Sequence, residues 1–387
     1  MEGGGTRQDV PTIDDVTAIP LRRELDERFA NAQKWIDSRE YCLVRVKAGE
    51  QTGWGECWGP VAGNRELVEE YVAPRLRGRD PTNVEQIHDD LVFELRSSYH
   101  SYVPASVVGG VDIALWDLRG KLRGESVASL LGGRRRDSVR AYATGHFFRD
   151  VDSFDALRAA VVEEARGHVK AGFTALKNKI GLARHTPWGR EEDIELVRAI
   201  REAVGDDVTL LTDANHAYDA ADARWVGRRL ADLDVRFFEE PIPPEGIDQY
   251  ARLNDALDVS LAAGECWAFE GEFRRAVEAG AVDYLQPDVT SAGGITSTDR
   301  VASLARSANL QAFPHVFGSA VALAASLQVL ATLPGEPLLE FDRTPNPIRE
   351  DLAVEPITND RDRVPIPDRP GIGIEVDEDI LAEFRVD

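Results

Sequence analysis

Short apolar runs that end in polar residues recur along the second half of the chain. One run, residues 209–216, reads Thr-Leu-Leu-Thr-Asp-Ala-Asn-His and turns polar at Asp213. A buried parallel strand has this near-continuous apolar composition, and in barrels its C-terminal end carries the polar groups. The same pattern recurs at residues 237–241, 261–265, 284–288, 312–315 and 338–340. Successive polar ends are 23 to 27 residues apart, which is typical of one strand–helix unit.

Two earlier runs extend this series to eight strands. Residues 140–145 read Arg-Ala-Tyr-Ala-Thr-Gly, and residues 173–179 read Phe-Thr-Ala-Leu-Lys-Asn-Lys. Eight such strands predict an α/β fold, a (β/α)8 TIM-like barrel with its active site at the C-terminal mouth. A doubly wound open sheet is the alternative, but its crevice would not recruit charged side chains from so many successive strands.

The apolar spacing between these strands is helical. Amphipathic helices are predicted at residues 153–170, 191–204, 220–233, 246–257, 270–279 and 296–307. After Glu340 this rhythm ends, and Pro-rich stretches indicate irregular structure. We expect the barrel to span residues 136–345 and the segment 346–387 to pack back on the N-terminal part of the chain.

The first third of the chain has a different pattern. The first 12 residues are Gly-rich and polar, and we expect them to be disordered. Residues 13–135 predict a separate α+β domain. Its expected elements are strands at 41–46 and 51–55 and helices at 64–76, 84–96 and 103–120.

The net charge of the chain limits the classes of partner that it can bind. A formal net charge of −23 and a pI of about 4.8 argue against nucleic acid and anionic membrane surfaces. The chain has only six lysines against 39 arginines. An acidic, lysine-poor protein suggests a halophilic adaptation, because salt screens self-repulsion. A generic acidic cytosolic enzyme is the alternative.

The three cysteines, Cys42, Cys57 and Cys266, are few and odd in number. Because there is also no apolar leader, we expect a reducing, cytoplasmic location. No run approaches the roughly 20 apolar residues of a membrane span, so no membrane partner is expected. Cys266 follows Glu265 and could be a nucleophile, but we expect a small buried apolar residue.

Three consecutive strand ends carry the carboxylates Asp213, Glu239 and Glu265. Hard oxygen ligands with open positions for water and substrate suit Mg2+, with Mn2+ as the alternative ion. Glu240 competes for the second position but points the opposite way from Glu239. An acidic loop exposed to solvent could by chance resemble one of these strand ends. Three such strand ends, each one strand–helix unit apart, are not expected by chance.

Candidate acid–base groups flank these carboxylates in the strand order. Lys177 and Lys179 are two residues apart at one strand end, so they project to the same face. On the other side, Asp288 and His315 end neighbouring strands, and a carboxylate beside an imidazole orients it and raises its basicity. A lone histidine in this place would often be structural.

At these residues the sequence resembles the mandelate racemase subgroup of the enolase superfamily (the mandelate racemase/muconate lactonizing enzyme family). The N-terminal motifs Gly-Trp-Gly-Glu at 53–56 and Asp-Ile-Ala-Leu-Trp-Asp-Leu at 112–118 resemble the capping-domain signatures of that family. Within the subgroup, residues 140–145, 213–218 and 339–344 look most like galactarolactone cycloisomerases. The matching barrel motifs are Lys-Asn-Lys at 177–179, Asp-Ala-Asn at 213–215, Glu-Glu-Pro at 239–241, Gly-Glu at 264–265, Gln-Pro-Asp at 286–288 and His315.

The resemblance implies a role for each site residue. Mg2+ on Asp213, Glu239 and Glu265 would bind the substrate carboxylate and stabilise an enediolate. Lys179 would be one acid–base group and the Asp288/His315 pair the other, on the opposite face. Lys177 would hold a substrate carboxylate oxygen and lower the pKa of Lys179. Asn215 is a further substrate-binding candidate, and Glu340 matches a position that in some members hydrogen-bonds the enediolate.

The leading functional hypothesis is an acid-sugar lyase or isomerase that removes an α-proton and expels the β-oxygen from an aldonate, aldarate or lactone. A dehydratase would lose water, a cycloisomerase would open a lactone, and a racemase or epimerase would need only Lys179 and His315. A Schiff-base aldolase could use a strand-end lysine but has no use for three metal carboxylates. A non-catalytic binding relative would be expected to lack Lys179 or His315. We expect a small carboxylate substrate and a homo-oligomer.

Overall fold

The computed structural model describes residues 10–99 and 103–386. Within the segment predicted to be disordered, residues 10–12 have no regular secondary structure, and residues 1–9 lie outside the described residues. The predicted domain boundaries at residues 135 and 345 stay predictions.

Strands occur throughout the described part of the chain. They are β1 (Asp15–Ala30), β2 (Trp35–Ala48), β3 (Gln51–Cys57), β4 (Ser138–Thr144), β5 (Phe148–Arg149), β6 (Ala175–Lys179), β7 (Thr209–Asp213), β8 (Val235–Glu239), β9 (Ser260–Ala263), β10 (Tyr284–Leu285), β11 (Gln311–Ala312), β12 (Leu338–Asp342) and β13 (Arg363–Pro365).

Helices alternate with most of the later strands. They are α1 (Val61–Glu66), α2 (Ala73–Leu76), α3 (Val84–Tyr99), α4 (Ala105–Arg123), α5 (Val127–Leu130), α6 (Phe154–Lys170), α7 (Arg190–Val204), α8 (Ala220–Asp232), α9 (Ile247–Ala256), α10 (Phe269–Ala279), α11 (Gly294–Ser307), α12 (Ala320–Leu330), α13 (Pro347–Asp351) and α14 (Glu378–Phe384). A π-helix (Leu67–Val72) joins α1 to α2, and a 3-10 helix (Leu182–Arg184) follows β6.

The predicted (β/α)8 barrel is confirmed. Eight parallel strands pair in the order β11-β10-β9-β8-β7-β6-β4-β12. At the two ends of this order, the carboxylate of Glu340 accepts a hydrogen bond from the backbone N–H of Val316 at 3.3 Å. Apart from β11, where Gln311 is exposed, the strands are largely buried on both faces, as expected of a parallel sheet covered by helices.

The strand register places the predicted site residues at the same height along the barrel axis. Lys179 lies opposite Asp213, and Asp213 lies opposite Glu239. Farther round the barrel, an isolated backbone bridge pairs Asp288 with His315. Because parallel strands end at the same edge, these side chains all reach the C-terminal mouth.

A four-stranded antiparallel sheet covers this mouth, in the order β3-β2-β1-β5. We call this sheet with helices α1–α5 the cap. β5 comes from the chain just after barrel strand β4, and it pairs with the end of β1 through Phe29 and Arg149. The sequence pattern did not define β1, because residues 22–28 are polar and mostly exposed on both faces.

The Gly-Trp-Gly-Glu motif allows close packing inside the cap. A Cβ atom added at Gly55 would lie 1.8 Å from the carbonyl oxygen of Gly110, and one at Gly53 would lie 2.0 Å from that of Ala114. Only glycine therefore lets β3 approach helix α4 so closely.

Two buried carboxylates of the cap bind the barrel. Glu56 accepts hydrogen bonds from the backbone N–H of Ser319 (3.1 Å) and Ala322 (3.3 Å) at the start of α12. Asp112 accepts from the backbone N–H and the hydroxyl of Thr296, at 2.9 and 2.6 Å. The signature motifs of the N-terminal region therefore position the cap over the mouth.

The C-terminal segment contacts both units. The backbone N–H of Ile372 donates to Asp117 of the cap at 2.9 Å, and that of Val386 donates to the carbonyl of Pro20 at 3.0 Å. β13 pairs antiparallel with barrel strand β4. This segment is more regular than predicted, because it also contains α13 and α14.

Helix α12 was missed by the sequence pattern. All of its residues are buried, so it has no polar face that would reveal a helical period. None of the helices within residues 10–99 and 103–386 combines the length and apolar character that crossing a membrane requires.

Candidate active site

The residues predicted for the site all lie on or just beyond barrel strands at the mouth. They are Lys177 and Lys179 on β6, Asp213 on β7 and Asn215 beyond it, Glu239 on β8, Glu265 after β9, Asp288 after β10, His315 after β11 and Glu340 on β12. A cavity of about 700 Å³ lies beside them, between the barrel and the cap. Lys179, Asn215, Glu265 and His315 line this cavity directly.

Lys177 is fully buried among acidic groups. Its Nζ lies 2.7 Å from an oxygen of Glu239 and 2.7 Å from one of Glu340. Burial opposes the charged form, but these two carboxylates outweigh it and raise the pKa of Lys177 well above its usual value. The lysine is therefore a fixed cation behind the candidate metal ligands, and its predicted contact with substrate stays a prediction.

Lys179 reaches the cavity and forms an ion pair with Asp213. Its ammonium also lies 5.2 Å from the ring centre of Phe147. Burial, the largest single influence, and Lys177 lower the pKa of Lys179, but Asp213, Glu265 and Glu239 together raise it more, so the net shift is upward. The contribution of Lys177 has the expected sign, and the carboxylates around Lys179 outweigh it.

His315 faces two carboxylates through its two ring nitrogens. Nδ1 lies 2.7 Å from Asp288 Oδ2, and Nε2 lies 3.2 Å from Glu265 Oε2. Burial opposes the charged ring, but Glu265, Glu340 and Asp288 together raise the pKa of His315 to about 10. The ring edge also contacts Trp58 of the cap, with ring centroids 5.9 Å apart.

Thr290 is a supporting residue that the sequence analysis missed. Its backbone N–H and hydroxyl both donate to Asp288 Oδ1, at 2.6 and 2.5 Å, which leaves Oδ2 facing His315. The same Asp-x-Thr spacing recurs at Asp342 and Thr344, with the same two hydrogen bonds. This spacing was the available signal, because a short polar residue two positions on commonly closes such a turn.

Glu340 lies between the two candidate acid–base sides. It accepts a hydrogen bond from the hydroxyl of Thr144 at 2.8 Å, and its Oε2 lies 4.0 Å from His315 Nε2. Burial disfavours its charge, but Lys177, His315 and Lys179 together lower the pKa of Glu340 to about 2. The ionised carboxylate of Glu340 would therefore hold the cationic side chains of Lys177 and His315 in place by electrostatic attraction.

Three carboxylates converge on one point of the mouth. One oxygen each from Asp213, Glu239 and Glu265 lies within 4.8 Å of the others. Burial and the neighbouring carboxylates Asp213, Glu340 and Glu265 raise the pKa of Glu239 to about 8, although Lys177 lowers it. Such mutual repulsion is relieved by a cation, and an all-carboxylate set suits a hard divalent ion.

Neighbouring residues support this fit. The side-chain N–H of Gln286 donates to Glu239 Oε2 at 2.8 Å and so orients that ligand. Asn215 donates its backbone N–H to Asp213 Oδ1 at 2.9 Å, and its buried side-chain oxygen has no hydrogen-bond partner within the described residues. Glu240 turns away, with its Oε2 3.1 Å from His216 Nε2, as predicted from strand alternation.

The environment of Cys266 differs from the expectation. We expected a small buried residue, but Cys266 is exposed, and its Sγ lies 3.4 Å from His216 Nε2. The prediction was wrong because β9 ends at Ala263 and Cys266 lies in the turn that follows, where the residue is exposed. The sulfur itself is partly shielded from solvent by its neighbours, and this burial, followed by the nearby Glu240 and Glu265 carboxylates, raises the pKa of the thiol far above its usual value, which disfavours a thiolate nucleophile.

The fold and this mouth define a class of protein: a capped (β/α)8-barrel enzyme that brings three carboxylates together with lysine and histidine side chains. Residues 160–380 match the family described as enolase C-terminal domain-like. Residues 16–132 match the N-terminal domain of mandelate racemase and muconate lactonizing enzyme. The chain belongs to the mandelate racemase/muconate lactonizing enzyme family of the enolase superfamily. Membership implies binding of a divalent metal ion.

Curated relatives and solved structures agree with this assignment. The chain is 41% identical over 375 residues to D-galactarolactone cycloisomerase of Agrobacterium fabrum, covering 95% of this chain and 97% of that protein. It is 32% identical to arabinonate dehydratase of Saccharolobus solfataricus, covering 93% and 95%. A racemase from Streptomyces coelicolor, solved with bound magnesium, superposes with a TM-score of 0.85 at 27% identity, covering 97% of this chain and 100% of that chain.

Proposed function

We propose that this enzyme removes the α-proton of an acid-sugar carboxylate with the help of Mg2+, and then expels the β-oxygen from the resulting enediolate. The substrate would be an aldonate, an aldarate or a lactone. The two forms of this reaction are lactone cycloisomerisation and sugar-acid dehydration. The first is favoured by the likeness to the cycloisomerase of Agrobacterium fabrum.

One arrangement carries the proposal. Each candidate metal ligand has a different cationic group as its nearest one: Lys179 for Asp213, Lys177 for Glu239 at 2.7 Å, and His315 for Glu265 at 3.2 Å. Lys179 and His315 therefore flank the carboxylate trio from its two ends. A substrate carboxylate between them would present its α-carbon to a proton-transfer group on either face.

Mg2+ held by Asp213, Glu239 and Glu265 would stabilise the negative charge that develops on the substrate carboxylate. In the first step, the α C–H bond breaks and its proton passes to the neutral form of Lys179 or of His315. The electron pair left behind forms the C=C bond of the enediolate. In the second step, a lone pair on an enediolate oxygen re-forms the carboxylate carbonyl, and the C=C pair moves to form a double bond between the α- and β-carbons. The bond to the β-oxygen breaks with its electron pair on the oxygen, to which the opposing group donates a proton.

The cap would supply the substrate contacts away from the reacting carbons. Lys34, Trp35 and Tyr41 line the cavity from the cap side, opposite Lys179 and His315. Lys34 is exposed at the cavity and forms no ion pair within the described residues, although the chain has 68 acidic side chains. A cationic side chain at this place would favour substrates with anionic or hydroxyl-rich distal ends.

A racemase or epimerase of a 2-hydroxy acid is the second candidate. It needs only the two opposed groups Lys179 and His315, and the similarity to the Streptomyces coelicolor racemase favours it. A non-catalytic acid-sugar-binding relative would use the same cavity without turnover. The presence of both Lys179 and His315 argues against that third possibility.

The test is a panel of mono-acid sugars, di-acid sugars and their lactones, incubated with the enzyme and Mg2+ in molar KCl and followed by proton NMR. Loss of a lactone with formation of an open-chain keto product would indicate cycloisomerisation. Formation of a 2-keto-3-deoxy acid from an open-chain substrate would indicate dehydration. Inversion at the α-carbon without elimination would indicate the racemase, and binding without conversion of any compound would contradict the proposal.

We also propose that the enzyme works in the cytoplasm at high salt. The net charge of −23 with only six lysines supports an enzyme adapted to high salt. The sparse cysteines support a cytoplasmic location, and homo-oligomerisation remains an expectation.

A further inference from the structure

A second cluster of metal-ligating side chains lies outside the candidate active site. It consists of His146, directly after β4, together with Glu164 and His168 on helix α6. Glu164 and His168 are four residues apart, so they lie on one face of the helix. One potential ligand atom from each residue lies within 4.8 Å of the others.

His146 presents an unused lone pair to this cluster. Its side chain is only 1% exposed, and its Nδ1 lies 3.1 Å from the carbonyl oxygen of Lys177, to which it donates as N–H. In the neutral ring, Nε2 is then the nitrogen with the free lone pair, and it has no hydrogen-bond partner among the described residues. Metal-binding histidines commonly donate their second ring N–H to a backbone carbonyl in this way, which fixes the tautomer.

His168 has a similarly unused nitrogen. Its Nδ1 is buried and has no hydrogen-bond partner in the described part of the chain. Burial, and secondarily His146, lower the pKa of His168 to about 4, so the ring is neutral at pH 7. The two imidazoles meet edge to face, with ring centroids 5.1 Å apart. Each imidazole therefore has a buried ring nitrogen without a partner in the described residues, and a neutral imidazole can use such a nitrogen as a metal ligand.

Glu164 supplies a carboxylate that stays ionised. It accepts hydrogen bonds from the backbone N–H of His146 and from Arg149, both at 2.9 Å. Burial opposes the charge, but His146 and Arg149 lower the pKa of Glu164 overall. Each oxygen keeps a second lone pair. Gly145 allows this approach, because a Cβ atom there would lie 2.4 Å from Glu164 Oε1.

We propose that His146, Glu164 and His168 bind one borderline divalent cation of the Zn2+ class, separately from the three-carboxylate site. Two imidazole nitrogens and one carboxylate oxygen are a typical zinc ligand set, with a fourth position for water. Mg2+ is disfavoured here, because it requires oxygen ligands. The ligand chemistry therefore separates the two sites.

The site would act on the backbone that carries the catalytic lysines. The backbone N–H of Lys179 points to the carbonyl of His146 at 3.4 Å, and the His146 ring bonds the carbonyl of Lys177. A cation that fixes His146 to helix α6 would therefore fix the junction of β4 and β6. We assign it a structural role and expect it to raise the thermal stability of the protein.

The experiment measures Zn2+ binding by the full chain in excess Mg2+, using isothermal titration calorimetry. The described residues contain two other candidate metal clusters, Asp213 with Glu239 and Glu265, and His216 with Glu240 and Cys266. The starting protein is therefore the double variant Glu265→Gln/Cys266→Ser, which removes one ligand from each of them. We expect one equivalent of Zn2+ per chain and a higher melting temperature with Zn2+. Addition of His168→Ala should abolish both effects, and visible absorption of Co2+ as a probe should disappear with them.

The outcome does not depend on the proposed enzymatic reaction, because binding and stability are measured instead of turnover. Absence of Zn2+ binding in the double variant would overturn the site, and so would equal binding after His168→Ala. Should His168→Ala fail to fold by circular dichroism, Glu164→Gln replaces it, because this change keeps the side-chain shape while removing the charged ligand. Retention of the Zn2+ equivalent in Glu164→Gln would also overturn the proposal.

Discussion

The imidazole Nδ1 of His315 lies 2.7 Å from Oδ2 of Asp288. This contact joins the ends of two neighbouring strands and leaves Nε2 facing the mouth, 3.2 Å from Glu265. The carboxylate therefore fixes the direction of the ring and, when the ring is neutral, its tautomer.

Replacement of Asp288 should harm proton transfer more than binding. In Asp288→Asn we expect kcat to fall by roughly 10²- to 10⁴-fold with little change in KM, because the amide supports the His315 cation less well. Steady-state kinetics on the substrate found in the panel provide the measurement. As a matched control, Thr290→Val removes the hydroxyl that holds the other oxygen of Asp288 and should cost less. Unchanged kcat in Asp288→Asn would refute the pairing.

Lys179 and His315 should both be needed for elimination, because one takes the α-proton and the other protonates the leaving oxygen. We expect Lys179→Ala and His315→Asn to lose turnover by roughly 10²- to 10⁴-fold each, with Mg2+ binding largely intact. In deuterated water, the variant that retains the proton-abstracting group should still exchange the α-proton without forming product. Near-normal turnover in either variant would contradict this arrangement.

Glu265 should be necessary for the metal site and Glu240 should not. We expect Glu265→Gln to weaken Mg2+ binding, measured by calorimetry, because it removes one of three charged oxygen ligands. Glu240→Gln is the matched control, because that carboxylate faces His216 and lies outside the trio. Full activity and unchanged Mg2+ dependence in Glu265→Gln would show that the ligand assignment is wrong.

Glu56 should make stability depend on pH. Burial raises its pKa from 4.5 to about 7 in the folded protein. A raised carboxyl pKa contributes stability that is fully present below pH 4.5 and lost as the pH rises through 7, because the folded state binds the extra proton. In the unmodified protein, this effect should lower the free energy of unfolding by on the order of 1–3 kcal/mol between pH 4.5 and 8. In Glu56→Gln this decrease should be absent. Urea unfolding of both proteins across this range is the test, and parallel pH profiles would count against it.

Salt should stabilise the protein. With a net charge of −23, self-repulsion should weaken as the Debye length falls from about 10 Å at 0.1 M to about 3 Å at 1 M salt. We expect the melting temperature to rise between 0.1 and 1 M KCl, measured by differential scanning calorimetry. NaCl should have a similar effect if screening is the cause. A flat or falling melting temperature would speak against halophilic adaptation.

Much of the fold follows from local pattern. The apolar runs with polar ends, repeated every 23 to 27 residues, predicted the barrel because strand and helix periods depend on near neighbours in sequence. Strand alternation also separated Glu239 from Glu240 correctly. The pattern failed for α12, which is apolar on every face, and for β1, whose second half is polar on both faces.

The sequence by itself determined which chemical groups reach the mouth: three carboxylates, two lysines, and an aspartate with a histidine. Only the tertiary structure decided their partners, because closure of the barrel places Glu340 of the last strand 2.7 Å from Lys177 of the second. The same closure sets the net pKa of Lys179, because this shift sums interactions with residues far away in sequence. His146, Glu164 and His168 form a cluster for the same reason: helix α6 folds back on the strand that precedes it, and local spacing does not encode that contact.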